Sequence, residues 1–307
     1  MDLELIQELL QEKKYSLLKE KLLKEQNADI AEYINEMDAK TSVLLFRLLP
    51  KQIAADVFAY LAVEKQTELS MLVNEKELQS ILEDLYFDDK IDFLEEMPAY
   101  VVKRILKNAS ETERRLINQF LNYPEDSAGS LMTIEFMDLK KEMLVIEALD
   151  RIRKNAPGKV TIYTCYVTDA SRRLEGIVSL KDLVISDNNK KIEEIMRGEI
   201  ISAKTLDDKE DIANLMKKYD LLAMPVTDNE NRLVGIITVD DIVDVIEEEN
   251  TEDFHKMATV GKINMSLLDA SPLLLIQKRL PWLLVLVFMN IFSGAGIAYF
   301  EETISTA

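Results

Sequence analysis

The chain has 307 residues, more than one domain usually needs, and its 37 Lys and Arg against 56 Asp and Glu give a net charge of −19. This balance argues against a nucleic-acid binder and against a surface that adheres to anionic lipid, and it fits a cationic partner. A single cysteine, Cys165, excludes an internal disulfide framework, and a single histidine, His255, argues against His-based zinc sites and Ser-His-Asp catalysis. The N-terminus lacks a basic segment followed by an apolar run, so no signal peptide is expected.

The first 128 residues contain no glycine and are rich in Leu, Glu, Lys and Ala, which are good helix formers. Each interval of about ten residues has apolar positions three and four apart. Helices this short bury a face only by stacking, so residues 1–125 are predicted to form an all-α superhelix. An ordinary bundle is the alternative, although bundle helices are usually longer. Breaks recur at steps of 11 to 13 residues, near Asp38, Pro50, Ala62, Asn74, Phe87, Pro98 and Ser110.

The middle of the chain contains an internal repeat. Residues 167–184 and 226–243 align without a gap at a constant offset of 59, and nine of the eighteen positions are identical. Each copy has two β-rich runs joined by a polar turn and followed by a helix, and a further helix lies upstream. The pattern predicts a duplicated β-α-β-β-α unit of the α/β class, with copies at residues 126–190 and 191–246.

The last part of the chain combines a long helical pattern, residues 247–277, with a hydrophobic span at residues 278–301. From Leu280 to Phe300 there are 21 residues without a charge, and about 20 apolar residues cross a bilayer core. Basic residues precede this run and acidic residues follow it, so the positive-inside rule predicts that residues 1–279 are cytoplasmic and that the protein lies in the cell membrane. A buried core helix is the alternative.

Acidic residues provide the most informative chemistry. Residues 240–253 contain eight Asp and Glu and no Lys or Arg. At about 100° per residue, Asp241, Asp244, Glu248 and Glu252 share one face of a helix. Like charges at this spacing destabilise a helix, and hard divalent cations such as Mg²⁺ would neutralise them. A solvated charged face is the alternative. A weaker acidic pattern occurs upstream, where Asp88 and Asp92 are four residues apart and Asp56 has a comparable place in an earlier helix.

The repeat resembles a tandem pair of cystathionine-β-synthase (CBS) domains. Their nucleotide-contacting signature, a Ser or Thr three residues before an Asp, occurs as Ser179 to Asp182 and again as Thr238 to Asp241. Four segments resemble MgtE-type magnesium channels, so that the resemblance covers the chain in order. These segments are residues 123–133, 219–226, 239–254 and 278–283.

This resemblance implies a Mg²⁺ channel that is a homodimer through its CBS domains and connecting (plug) helices, and that is closed by cytosolic Mg²⁺. The ions would bridge the N domain, the CBS pair and the plug helix. Adenine nucleotide such as ATP would contact the CBS pair at Ser179 and Asp182. By matching motif, the implied metal ligands are Asp56, Asp88 and Asp92 in the N domain, Glu210 and Asp220 in the CBS pair, and Asp241, Asp244, Glu249, Glu252 and Asp253 on the plug helix.

The family has five membrane helices, with the pore acids on the later ones. This chain ends at Ala307 after one such span, so the pore helices are expected to be mostly absent, as in a truncated product or the regulatory part of a split system. The alternative function is a membrane-tethered CBS sensor of adenine nucleotide without Mg²⁺ gating. An enzyme is not expected, because no Walker loop, Gly-x-Gly-x-x-Gly or Gly-x-Ser-x-Gly motif occurs.

Overall fold

A computed structural model of the chain describes residues 3–257, 276, 280–281 and 283–295. The chain divides into two compact units, Met1–Val239 and Asp240–Ala307. The first unit begins with short helices of eight to ten residues, as the periodicity predicts. They are α1 (Leu3–Gln11), α2 (Tyr15–Leu22), α3 (Asn27–Glu36), α4 (Ala39–Leu48), α5 (Lys51–Ala59), α6 (Val63–Leu72), α7 (Glu75–Asp84), α8 (Phe87–Glu95), α9 (Ala99–Asn108) and α10 (Glu111–Phe120).

The predicted breaks are helix N-caps. Six of the seven fall on the N-cap residue itself, including Asp38 and Asn74. The Asp38 carboxylate accepts from the backbone N–H groups of Lys40 and Thr41, which satisfies donors that the first turn of a helix leaves unpaired. Asn74 forms a capping box with Glu77. The seventh break is displaced by one residue, because α8 begins at Phe87 and its N-cap is Tyr86.

Neighbouring helices pack against partners one or two places along the chain, such as α3 on α4 and α5, and α5 on α7. This local pattern is the one expected when short helices bury their faces by stacking. Phe58 of α5, only 1% exposed, lies at the centre. Its ring centroid is 6.1 Å from that of Phe46 and 5.1 Å from that of Phe93, both edge-to-face. Three helices, α4, α5 and α8, therefore share one aromatic core.

The repeat forms two mixed three-stranded sheets, as predicted. In each, the first strand runs parallel to the second and the second antiparallel to the third. Equivalent residues hold equivalent registers, since Tyr166 pairs with Ile177 and Pro225 pairs with Ile236. The elements are α11 (Ala128–Leu131), β1 (Asp138–Leu139), α12 (Val145–Asn155), β2 (Thr164–Thr168), β3 (Leu174–Ser179), α13 (Leu180–Ile185), β4 (Ala203–Lys204), α14 (Lys209–Lys218), β5 (Ala223–Thr227) and β6 (Leu233–Thr238), with 3₁₀ turns at Ala156–Gly158 and Ile192–Glu194.

The duplication extends to side-chain contacts. Lys140 Nζ donates to Thr168 Oγ1 at 2.8 Å and to the carbonyl of the following residue at 2.8 Å. Lys204 Nζ makes the same two contacts around Thr227, at 2.9 and 3.0 Å. Each lysine thus ties the first strand of its copy to the turn after the second strand, and the repeat is one of structure as well as of sequence.

The two copies meet through the turns between their last two strands. Arg172 and Asn231 occupy equivalent turn positions with φ of 66° and 63°. The carbonyl of each accepts from the backbone N–H of the other copy, since Leu174 N donates to Asn231 O at 3.0 Å and Leu233 N donates to Arg172 O at 2.9 Å. A shared apolar core lies beside this junction and comprises Phe136, Tyr166, Leu174, Leu233 and Ile236.

A long helix, α15 (Val239–Met257), follows β6 directly. Residues 258–275 of the predicted plug helix lie outside the described part of the chain. Of the predicted membrane span, residues 280–281 and 283–295 are described as helical and the rest is not described. Within the ranges that the structure describes, no helix is both long and apolar enough to cross a bilayer.

Candidate metal and nucleotide sites

Negative charges from separate elements act on Tyr86, the N-cap residue of α8. Burial raises the pKa of Tyr86, and the negative charges of Asp56, Glu135, Asp88 and Asp89 raise it further, because each disfavours the phenolate. Asp56 comes from α5, the two aspartates from the first turn of α8, and Glu135 from the segment before β1. The sequence-predicted residues Asp56 and Asp88 therefore both act electrostatically on Tyr86.

The helices fix these carboxylates in different settings. Asp56 is half-buried, and its Oδ2 accepts from Asn27 Nδ2 at 3.1 Å. Asp88 is 9% exposed and lies in the first turn of α8, where the helix dipole favours a negative charge. Asp92 lies one turn later and is exposed. Because Phe58 of α5 packs on Phe93 of α8, the aromatic core holds the two acid-bearing helices against each other.

Glu135 is a site residue that sequence reasoning missed. Its Oε2 accepts from the backbone N–H of Phe87 at 2.9 Å and from Thr133 Oγ1 at 2.9 Å. Phe87 is 48 residues away in the chain, and no motif signals a contact over that distance. The one available signal is that Glu135 lies in the segment between α11 and β1, near the boundary of the helical domain and the first CBS copy.

Glu210 and Asp220 lie at opposite ends of α14. Glu210 is exposed in the first turn, after the N-cap Asp208. Asp220 has a positive φ of 50°, which Asp tolerates better than most residues. It follows the C-cap, and Leu221 N donates to Met216 O at 3.0 Å in a Schellman arrangement. Ten residues at 1.5 Å each separate the two acids by about 15 Å along the axis, so they do not share one ion.

Helix α15 carries acidic residues at helical spacing. Asp244 has an acidic residue three and four places away on both sides. Burial raises the pKa of Asp244, and Glu247, Glu248 and Asp240 raise it further. Asp241 and Glu249 lie on the same helix, whereas the side chains of Glu252 and Asp253 lie outside the described residues. A divalent cation would relieve this repulsion.

No preformed cage accompanies these acids. In the part of the chain that the structure covers, no group of three or more His, Cys, Asp or Glu side chains is arranged to hold a metal ion.

The nucleotide signature begins α13. Ser179 is the N-cap, and its Oγ accepts from the backbone N–H of Asp182 at 3.0 Å. The Asp182 carboxylate is half-buried and lies 3.6 Å from Arg197 Nη2. A carboxylate held at this position can accept hydrogen bonds from ribose hydroxyls. The second copy repeats the motif at Thr238, the last residue of β6.

Cys165 plays no part in this chemistry. It is fully buried in β2, and burial, with a smaller effect of Asp138, raises the pKa of its thiol to about 12. The thiol therefore stays protonated and behaves as a small apolar side chain. The side chain of His255 lies outside the described residues.

Comparison with known proteins supports the resemblance. The family model described as the MgtE intracellular N domain matches residues 25–126, and the CBS domain model matches residues 128–187 and 192–248. The magnesium transporter MgtE of Thermus thermophilus is 36% identical over 303 residues, which cover 97% of this chain and 67% of the relative. The Bacillus subtilis magnesium transporter MgtE is 32% identical over 289 residues, covering 90% of this chain and 63% of the relative.

A solved structure agrees with the fold. The crystal structure of the cytosolic domain of the Mg²⁺ channel MgtE in complex with ATP aligns with a TM-score of 0.74 and 37% identity, covering 78% of this chain and 98% of that one. These relatives are named as magnesium transporters and not as enzymes. Since the similarity spans the helical domain and both CBS copies in order, this chain belongs to the MgtE family of magnesium transporters.

Proposed function

We propose that this chain is the Mg²⁺-sensing and gating region of an MgtE-like channel. The observation that carries the proposal is the packing of Phe58 on Phe93, which sets the acid-bearing helices α5 and α8 against each other, together with the bond from Phe87 N–H to Glu135 Oε2 at 2.9 Å. Acids gathered from the helical domain and the CBS region repel one another. A divalent cation offsets that repulsion and favours the arrangement in which they lie close.

The proposed ligands are distributed over the helical domain, the CBS pair and the plug helix. We assign the helical domain to residues 1–125, the two CBS copies to 126–190 and 191–246, and the plug helix to 247–277. Because α14 separates Glu210 from Asp220, several ions are required, each completed by water as Mg²⁺ prefers. The ligands are Asp56, Asp88, Asp92, Glu210, Asp220, Asp241, Asp244, Glu249, Glu252 and Asp253.

Several weak sites acting together give a steep switch. An ion shifts a two-state equilibrium only by its difference in affinity for the two states, and moving a population from 1:99 to 99:1 takes about 5.5 kcal/mol. Several ions can supply that free energy between them while each binds weakly. The open arrangement would then predominate when cytosolic Mg²⁺ is scarce, and the closed one when it is abundant.

Replacing Asp88 and Asp92 by Asn tests the ligand assignment. We expect the Mg²⁺ concentration that half-protects the chain from limited proteolysis to rise about tenfold, the equivalent of ~1.4 kcal/mol of lost ion binding. The matched control is Glu32→Gln with Glu36→Gln, two exposed acids at the same i,i+4 spacing on α3, which should leave the midpoint unchanged. An unchanged midpoint in the Asp88/Asp92 variant would exclude these residues as ligands.

We also propose that residues 278–301 form a membrane helix and that the chain is a homodimer through its CBS domains and plug helices. The described part of that span is helical, and its apolar side chains are exposed, including Phe288, Met289 and Phe292 at 62%, 65% and 76%. Exposed apolar residues at the end of α13, Val184 at 66% and Ile185 at 72%, support an interface with a second copy.

ATP binding at Ser179 and Asp182 is the second proposal. It is supported by the N-cap geometry of α13 and by the ATP complex of the related cytosolic domain. We expect Asp182→Asn to weaken ATP binding about tenfold in a calorimetric titration, because one hydrogen bond to a charged group is lost. Asp150→Asn on α12 is the control, since that carboxylate is exposed and pairs with Arg153. Full ATP affinity in Asp182→Asn would exclude Asp182 as a contact.

The rival function is a membrane-tethered CBS sensor of adenine nucleotide without Mg²⁺ gating. The two functions differ in one measurement. Binding of ATP by a chain whose protease protection is the same with and without Mg²⁺ would favour the rival, whereas Mg²⁺-dependent protection that NaCl does not reproduce favours the gating function.

A further inference from the structure

Helix α8 receives a cap from a distant segment of the chain. The first N–H groups of a helix have no partner within it, and the N-cap residue Tyr86 provides no side-chain cap. The N–H of Phe87 donates instead to Glu135 Oε2 at 2.9 Å. A carboxylate from the segment before β1 therefore caps the helix that presents Asp88 and Asp92, and a negative charge at a helix N-terminus is favourable.

The same carboxylate is anchored to the second CBS copy. Glu135 Oε2 also accepts from Thr133 Oγ1 at 2.9 Å. The backbone of Thr133 pairs with Ile236 of β6 in both directions, at 2.8 and 2.9 Å. This approach depends on Gly235, where a Cβ would lie 2.9 Å from Thr133 O. Two residues after Ile236, β6 ends at Thr238.

Opposing forces act on this contact. The hydrogen bonds and the helix dipole favour Glu135 at the start of α8. Asp88 and Asp89 lie in the first turn of the same helix, and their like charges oppose another carboxylate there. A contact that is held by geometry and opposed by like charge is sensitive to cations nearby.

We propose that Glu135 is a positioning residue that fastens the N-terminus of α8 to β6 through Thr133, and so sets the Mg²⁺ concentration at which the helical domain closes on the CBS pair. The inference rests on the proposed gating function. The oxygen atoms of Glu135 accept hydrogen bonds that favour the closed arrangement, and we call this contact the latch. The negative charge of Glu135 opposes closure, so the hydrogen bonds and the charge have opposite effects on the Mg²⁺ concentration needed.

Two substitutions in the full chain separate these effects. Glu135→Gln keeps an acceptor oxygen and removes the charge, so we expect half-protection from proteolysis at about threefold lower Mg²⁺. Glu135→Ala removes the acceptor, so we expect about tenfold higher Mg²⁺ and about tenfold faster exchange of the Phe87 amide hydrogen. In Glu135→Gln that amide should stay protected.

Controls keep the proposal falsifiable. Glu142→Gln and Glu142→Ala, at an exposed glutamate in the same region, should change neither readout. Should Glu135→Ala fold poorly, Thr133→Val removes the anchoring hydroxyl at nearly constant volume and should shift the midpoint in the same direction.

Two outcomes overturn the latch. If the Mg²⁺ concentration for half-protection rises by the same factor in Glu135→Gln and Glu135→Ala, Glu135 is a cation ligand and not a latch. If exchange of the Phe87 amide is unchanged in Glu135→Ala, Glu135 does not cap α8. Failure of the gating function is distinguishable, because the unsubstituted chain would then show no Mg²⁺ response. If Glu135→Ala still speeds exchange of the Phe87 amide in a chain without a Mg²⁺ response, Glu135 caps α8 but plays no part in Mg²⁺ sensing.

Discussion

Replacing Asp241 and Asp244 by Asn and Glu248 by Gln is expected to abolish the Mg²⁺ dependence of amide hydrogen exchange in α15. The substitutions remove five like-charge pairs at i,i+3 or i,i+4 spacing, each of which destabilises a helix by about 0.2–0.5 kcal/mol. The helix should gain about 1–2 kcal/mol without Mg²⁺. Hydrogen exchange of the α15 amides should then be as slow without Mg²⁺ as it is in the unsubstituted chain with Mg²⁺.

The pKa of Asp244 shows that its negative charge destabilises α15. Its pKa is raised in the folded chain, above the ordinary value of 3.8. The folded state therefore holds the proton more tightly, and the stability it gains from the protonated form is lost as pH rises from 3.8 through the raised pKa. At neutral pH the charge of Asp244 destabilises the helix, and Asn removes that effect.

A matched triple variant controls for net charge. Glu4, Glu8 and Glu12 are exposed acids at i, i+4 and i+8 along and just after α1, so replacing them by Gln changes the net charge equally. That variant should keep the full Mg²⁺ dependence of α15. If Mg²⁺ slows amide exchange in the α15 variant as much as in the unsubstituted chain, Asp241, Asp244 and Glu248 do not sense the ion.

Phe58→Ala should destabilise the helical domain by about 3–5 kcal/mol, the usual cost of deleting a buried aromatic side chain. Its ring is 1% exposed and contacts Phe46 and Phe93 edge-to-face. The cavity would lie between the helices that present Asp56 and Asp88. We therefore expect a lower urea midpoint together with a weaker Mg²⁺ response.

Two controls accompany this prediction. Phe58→Leu keeps most of the volume and should cost less than about 1.5 kcal/mol. Tyr60→Ala alters an aromatic residue that is 61% exposed, so its effect should stay within about 0.5 kcal/mol. If Phe58→Ala and Tyr60→Ala lower the free energy of unfolding in urea equally, the Phe58 ring is not part of a buried aromatic core.

Local features of the fold were predictable from sequence. Helix N-caps depend on the chemistry of one residue and its near neighbours, so Asp38, Asn74 and Ser110 could be identified by spacing and residue type. The repeat could be identified because residues 167–184 and 226–243 share nine identical positions without a gap, and the structure places the two copies in equivalent registers. The charge stripe of α15 followed from helical periodicity alone.

Long-range contacts were not predictable. The capping of Phe87 by Glu135 joins residues 48 apart, and neither residue belongs to a motif. The N-cap of α8 is Tyr86 and not Phe87, and the N–H of Phe87 is capped by Glu135 from a distant segment. The separation of Glu210 and Asp220 follows from the length of α14. Assigning both residues as ligands by matching motif took no account of that length.

The distance between the helical domain and the CBS pair shows whether Mg²⁺ closes one on the other. Spin labels at Glu64→Cys on α6 and Lys154→Cys on α12 occupy exposed positions, and Cys165 stays unlabelled because it is buried and its thiol pKa is about 12. We expect a broad distance distribution without Mg²⁺ that narrows to one short distance at millimolar Mg²⁺, but not in NaCl of equal ionic strength. Superimposable distributions with and without Mg²⁺ would contradict the account.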